Sequence, residues 1–183
     1  MIKLVTSNEH KYKEIKSIFL EFGLEVEWVK MSYEEIQDES TARISEDSCR
    51  KLQGMIEDPF FLEDTGLYIL TLAGFPGPYS SYVNKKIGNK GILKLVGSDR
   101  RAYFETVISL SYGGNIYKFD GHLNGTIANA ESGSGGFGYD PIFIPDKYNI
   151  TLSEMGETEK NKISHRRIAT EDLIRFINDT MRL

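Results

Sequence analysis

A single cysteine, Cys49, is all that this 183-residue chain contains, so no intramolecular disulfide can form. That usage fits a reducing compartment. Apolar runs are short, well below the roughly 20 residues that a membrane span requires. The opening Met1-Ile2-Lys3-Leu4-Val5 has neither the apolar centre of a secretory leader nor a small-residue cleavage site. These absences predict a cytoplasmic protein with no membrane partner. A basic excess is missing as well, the formal net charge being −5. Phosphate backbones select basic surfaces, so general nucleic-acid binding is excluded. A small phosphorylated ligand is still allowed, because carboxylates can hold a divalent cation that neutralises phosphate locally. Neither a Walker A sequence nor a G-x-G-x-x-G after a strand is present. With no repeat, low-complexity tract or linker, residues 1–183 are expected to form one domain.

Patterns of apolar residues supply the elements. Met1 to Val5 and Glu25 to Lys30 read as strands, separated by a helix with Tyr12, Ile15, Phe19 and Phe22 on one face and Gly23 at its end. Ser45 is the expected cap of a second helix bearing Cys49, Leu52 and Ile56 on one face. Phe60 to Leu62 is a further strand, leading into an acidic turn. Phe104 to Tyr112 alternates with period two, Gly113-Gly114-Asn115 supplies turn chemistry, and Ile116 to Asp120 returns antiparallel. Leu123 to Ala130 continues the strand-rich section. From Ser164 onward the period is helical, with Ala169, Leu173, Phe176 and Ile177 together. Helices alternating with strands, then an antiparallel section, predict an α/β domain with a mixed sheet.

Five segments carry residues suited to chemistry, and each is also compatible with an ordinary solvated turn, loop, charged face or helix start. Thr6-Ser7-Asn8-Glu9-His10-Lys11 joins a strand to a helix start, where backbone N–H groups and a lysine attract anions. It reads equally as a capped turn with a solvated lysine. Glu63-Asp64-Thr65-Gly66 offers adjacent carboxylates for a hard cation or for taking a proton from water; it is otherwise a solvated turn. Glu34, Glu35, Asp38 and Glu39 could add a metal ligand or simply form a charged face. Ser132 to Pro141 interleaves glycines with Phe137, Tyr139 and Asp140, so rings could stack on a base and bare N–H groups could read its carbonyl edge. The other reading is a disordered loop. Glu159 to Arg167 concentrates five Lys, Arg or His residues at the start of the final helix, where they oppose the dipole unless an anion or a carbonyl ligand meets them. His122 and Cys49 are read as bystanders, and Gly74 to Ser80 as a rigid turn.

In order, these segments resemble the inosine triphosphate pyrophosphatase family, also called Ham1-like. Thr6-Ser7-Asn8 with Lys11 and Glu14 is similar to its T-G-N-x-x-K-x-x-E opening. Glu63 to Leu67 matches E-D-[ST]-G-L, Gly74 to Ser80 matches G-x-P-G-x-Y-S, and Gly136 to Phe143 matches G-F-G-Y-D-P-I-F. Glu159 to Arg166, with Ala169, matches E-K-N-x-x-S-H-R-x-x-A. The resemblance spans essentially the whole chain. It implies an elongated mixed sheet flanked by helices, in two lobes with the active site in the cleft between them, and a homodimer.

The same resemblance assigns roles. Thr6, Ser7, Asn8, Glu9, His10 and Lys11 would contact the triphosphate of ITP, dITP or XTP. Asp64 would be the general base and, with Glu35, a ligand of Mg²⁺ (Mn²⁺ is an alternative); Glu34 and Glu39 are weaker matches. Thr65 would touch substrate, and Phe137, Gly138, Tyr139 and Asp140 would line the base and ribose pocket. Lys160, His165 and Arg166 would bind nucleotide, supported by Ser164. Ser7 departs from the family by replacing a glycine, and Ser48 and Ser81 stand where some members carry basic residues. The products expected are a nucleoside monophosphate and pyrophosphate. Two rival readings are a Maf-like pyrophosphatase of modified pyrimidine nucleotides and a nucleotide-binding module without catalysis.

Overall fold

The computed structural model describes residues 1–181. Its elements run β1 (Ile2–Val5), α1 (Glu9–Glu21), β2 (Val26–Val29), α2 (Thr41–Leu52), β3 (Phe60–Ile69), β4 (Pro76–Gly77), α3 (Ser80–Leu95, interrupted at Gly88), β5 (Arg101–Tyr112), β6 (Asn115–Ile127), β7 (Phe143–Pro145), α4 (Glu157–Ile163) and α5 (His165–Phe176). Seven strands form one sheet in the order β2-β1-β3-β5-β6-β7, with β4 pairing to β3 off that path. β1 is parallel to β2 and β3, whereas the β3–β4 and β6–β7 pairs are antiparallel. The predicted mixed α/β class is therefore observed.

The chain folds into two compact units. The first takes Met1–Asp64, Thr106–Gly121 and the stretch from Arg166 onward. One of its cores joins Ile2 and Leu4 of β1, Ile15, Ile18 and Phe19 of α1, Phe61 of β3, and Ala169, Leu173 and Ile174 of α5. A second core joins Val5, Cys49, Leu52, Phe60 and Leu62, with Tyr33 packed against it. Successive strand residues point to opposite faces, so Phe61 enters one core while Phe60 and Leu62 enter the other. The second unit takes Thr65–Glu105 and His122–His165. Its core gathers Leu67, Ile69, Val83, Ile92, Phe104, Ile127, Tyr139, Ile142, Phe143 and Leu152.

Several predicted boundaries move, for identifiable reasons. Ser45 does not cap α2; Ser40 does, its side chain accepting from the Arg43 N–H. Ser45 instead lies inside the helix, buried, donating to the Val107 carbonyl and bonded to Ser109. Phe22 closes α1 as its C-cap and is exposed, while Ile18 takes the buried position. β3 does not stop at Leu62 but carries the acidic motif within it. β6 likewise merges the two strands predicted after the Gly113-Gly114 turn. The basic segment before Arg167 is split between helices: Lys160 and Lys162 occupy the last turn of α4, Ser164 caps it, and His165 begins α5. The dipole argument therefore fails for those two lysines, because cations are favoured in a last turn.

Candidate active site

In the first unit the loop after β1 is fixed by its own side chains. The Thr6 N–H donates to the Val29 carbonyl, and Thr6 Oγ1 accepts from the Asn8 N–H. Asn8 is the N-cap of α1, accepting from His10 and Lys11 at 2.9 and 3.4 Å. This is the expected short polar cap satisfying helix-start donors. Ser7 and the side chains of Glu9 and His10 are exposed, Glu9 pairing with Lys13 at 2.7 Å. Lys11 turns inward, its ammonium 2.8 Å from Glu63.

Strand alternation then separates the two adjacent acids. Glu63 shares the face of Phe61 and sits among cations, with Lys11 on one side and Arg166 Nε at 3.5 Å. Its side chain is 0% exposed. Arg166, also buried, pairs through Nη1 with Glu14 of α1. Asp64, half-buried, follows on the other face, that of Phe60 and Leu62. There the Tyr33 phenol is held protonated well above its ordinary range, first by burial and then by the negative charges of Glu35, Glu63 and Asp64. Asp38 of the same acidic run is taken up locally, accepting from the Ser40 N–H and pairing with Arg43 at 3.3 Å. Glu34, Glu35 and Glu39 are all exposed.

Oxygen donors of this kind suit a hard dication. Mg²⁺ is commonly held by one or two carboxylates, its other positions filled by water and substrate phosphate. Among the described residues, no three His, Cys, Asp or Glu side chains are grouped to hold a metal ion by themselves. Were Glu35 and Asp64 the ligands, the site would follow the first pattern rather than a dedicated protein cage.

In the second unit the glycine loop is ordered by three anchors. The Asp140 carboxylate accepts from the Phe137 N–H at 2.8 Å and from Lys160 Nζ at 2.7 Å. The Lys160 ammonium also lies over the Phe137 ring, 4.9 Å from its centroid, a cation–π contact. Ser153 fixes Gly135, its hydroxyl donating to the Gly135 carbonyl. Gly136 has φ +70, and a Cβ there would fall on the Asp140 carboxylate. Tyr139 is buried, its hydroxyl donating to the Ser80 carbonyl at 3.0 Å; burial pushes that phenol well up. Gly138 is exposed and Phe137 half-buried. His165 is buried and stacks on Phe104 at 4.7 Å, and Ser164 is buried beside it.

Thr65 is half-buried on β3. After it, Gly66 meets the turn of the Gly74 to Ser80 segment so closely that an added Cβ would stand 2.7 Å from the Gly77 carbonyl oxygen. Ser80 fastens that turn, its hydroxyl accepting from the Leu67 N–H and donating to the Gly77 carbonyl. Only glycine permits the approach.

The match to known proteins runs the length of the chain. The Ham1 family profile matches residues 2–176. The chain belongs to the Ham1 family. A dITP/XTP pyrophosphatase of Korarchaeum cryptofilum is 47% identical over 96% of this chain and 97% of its own. One from Thermococcus kodakarensis is 42% identical over 99% of both chains. Among solved structures, the Staphylococcus aureus Ham1 protein superposes with a TM-score of 0.80 at 30% identity, covering 97% of this chain and 98% of its own. A HAM1 protein from Coxiella burnetii gives 0.81 at 27% identity, covering 98% and 100%.

Three residues of this Ham1 protein, Glu63, Tyr33 and Trp28, make contacts that no local pattern announces. Glu63 was indistinguishable from Asp64 until the strand placed them on opposite faces. Tyr33 sits in a segment without regular structure, where no periodicity marks it. Trp28 reads simply as a strand residue, and its signal is tertiary.

Proposed function

We propose that this Ham1-family protein is a dITP/XTP pyrophosphatase that hydrolyses ITP, dITP and XTP to the nucleoside monophosphate and pyrophosphate. The observation that carries the reading is the full-length likeness to dITP/XTP pyrophosphatases at 41–47% identity. The arrangement around β3 supports it, with a carboxylate and its acidic neighbours on one face and anchored cations on the other.

In this mechanism Asp64 takes a proton from a water molecule whose oxygen attacks the α-phosphorus. The bond from that phosphorus to the α–β bridging oxygen breaks, and pyrophosphate leaves with the bonding pair. Lys11, aimed by Glu63, faces the charge that accumulates on the departing group. Glu35 and Asp64 would hold Mg²⁺, or Mn²⁺ in its place, which when bound neutralises phosphate charge. Thr6 to Lys11 receive the triphosphate, and Thr65 contacts substrate beside Asp64. Phe137 offers a ring face to the purine, with Gly138, Tyr139 and Asp140 shaping the pocket and Lys160 holding Asp140 and Phe137 in place. His165 and Arg166, steadied by Ser164 and Glu14, present donors to the 6-keto oxygen. Adenine carries an amino donor at that position, so donor would face donor at a cost of about 1–3 kcal/mol. GTP shares the 6-keto group and is excluded less strongly.

Residues 1–183 act as one catalytic domain in this reading, substrate lies in the cleft implied by the family resemblance, and two copies form a homodimer, which the molar mass in solution tests. The decisive assay is hydrolysis of ITP, XTP, dITP, GTP, ATP and CTP with Mg²⁺, scoring pyrophosphate separately from orthophosphate. Pyrophosphate released mainly from the inosine and xanthosine nucleotides is expected. Equal hydrolysis of ATP and ITP, or a preference for a pyrimidine, sinks the assignment.

A further inference from the structure

The chain has a single tryptophan, and its position is unlike that of an ordinary strand residue. Trp28 lies on β2 opposite Leu4 of β1. Its indole N–H donates to the Thr6 carbonyl at 2.8 Å. The Thr6 N–H is bonded in turn to the Val29 carbonyl at 3.2 Å. Both backbone polar groups of the first loop residue are therefore tied to neighbouring residues of β2. The same indole stacks on Tyr12 of α1, ring centroids 4.4 Å apart and planes 13° from parallel. Tyr12 directly follows Lys11. One side chain thus grips both ends of the segment that runs from Thr6 to Lys11.

The stack carries charge on its outside. Lys30 Nζ lies 5.2 Å from the Trp28 ring centroid and Lys16 Nζ 5.7 Å from that of Tyr12. Because the rings cover each other's inner faces, both ammoniums occupy outer faces, a cation–π arrangement that favours the stacked geometry. Removing the indole N–H would leave the Thr6 carbonyl, in a residue only 7% exposed, without the donor that now fixes its direction. A loop held in its binding geometry beforehand spends less free energy on ordering when ligand arrives.

We infer that Trp28 is a positioning residue of the phosphate loop, a clasp that holds Thr6 to Lys11 in the shape that receives the pyrophosphate part of the substrate. This rests on the proposed pyrophosphatase reading. It assigns Trp28 no contact with the nucleotide, only with the backbone and the ring that bracket the loop.

Trp28→Phe keeps a ring to stack on Tyr12 and deletes the N–H. The loss of one such bond should raise KM for ITP, and the inhibition constant of inorganic pyrophosphate, about fivefold. The turnover number and the inhibition constant of IMP should stay within roughly twofold. Unchanged KM and pyrophosphate inhibition in a folded variant overturn the clasp. So does equal weakening of pyrophosphate and IMP with a lowered melting temperature, which marks a merely structural role. Wild-type protein that binds Mg²⁺-pyrophosphate by calorimetry, more tightly than Trp28→Phe does, but releases none from ITP would defeat the proposed reaction and leave the clasp standing.

Discussion

Lys11 in one unit and Lys160 in the other each meet a buried carboxylate, Glu63 at 2.8 Å and Asp140 at 2.7 Å. The lysines themselves differ. The Lys11 side chain is 18% exposed, whereas that of Lys160 is 5% exposed, with Phe137 beside its ammonium. Glu63 also has Arg166 nearby, so its charge does not depend on Lys11 alone. Lys11 keeps contact with solvent and can meet an incoming anion, whereas Lys160 is withdrawn with Asp140 and chiefly holds the glycine loop together. Breaking such a buried pair leaves an uncompensated charge, which is far costlier than losing an exposed pair. Similar distances thus conceal unequal roles, and burial is what separates them.

The largest expected effect lies outside both pairs. Asp64→Asn should lower kcat by about a hundredfold to ten-thousandfold with the melting temperature preserved, since Asp64 belongs to neither lysine anchor. A near-normal rate would remove Asp64 as the base. Next, Lys160→Met should cost about 3–5 kcal/mol of stability by urea unfolding, and adding Asp140→Asn should restore part of it. A loss below about 1 kcal/mol would erase the distinction between the two lysines. Lys11→Met should cost less stability, about 1–2 kcal/mol, while raising KM for ITP about tenfold or more through the lost charge-assisted contact. Equal stability losses for the two lysine variants would likewise break the comparison.

The remaining predictions concern the loops that the two lysines serve, and the smallest effect of all falls at Ser7. Gly136→Ala combines a positive φ with a Cβ against Asp140, so a loss of about 1–3 kcal/mol is expected in thermal unfolding. Ser7→Gly in the other loop should change stability by about 0.5–1 kcal/mol at most. The reverse ranking would mean that the loop after β1, not the glycine loop, is the more tightly constrained.

Much of this was legible beforehand, where the signal was local. Asn8 lies just ahead of the apolar period of α1, and it caps that helix. Cys49 lies on an apolar helical face, and it is core. The glycines between Ser132 and Gly138 mark a special backbone, though not that Asp140 and Ser153 would order it. The motifs placed the chain among Ham1-like proteins without any coordinates. The misplaced cap at Ser45 and the shortened β3 share one cause: side chains buried by distant partners do not follow the local period. Ser45 is satisfied by β5, more than 60 residues away.

By itself, then, the sequence determined the fold class and the family and singled out the candidate residues for chemistry, because caps, periods and short motifs act over a few positions. Tertiary structure decided which of those residues meet. It put Glu63 and Asp64 on opposite faces of β3, set Arg166 against Glu14 across 152 positions, and joined the Trp28 indole to both the Thr6 carbonyl and the Tyr12 ring. No local pattern specifies such pairings. They follow from the alternation of a strand and the docking of helices on the sheet, which bring charges and rings together only once the chain has folded.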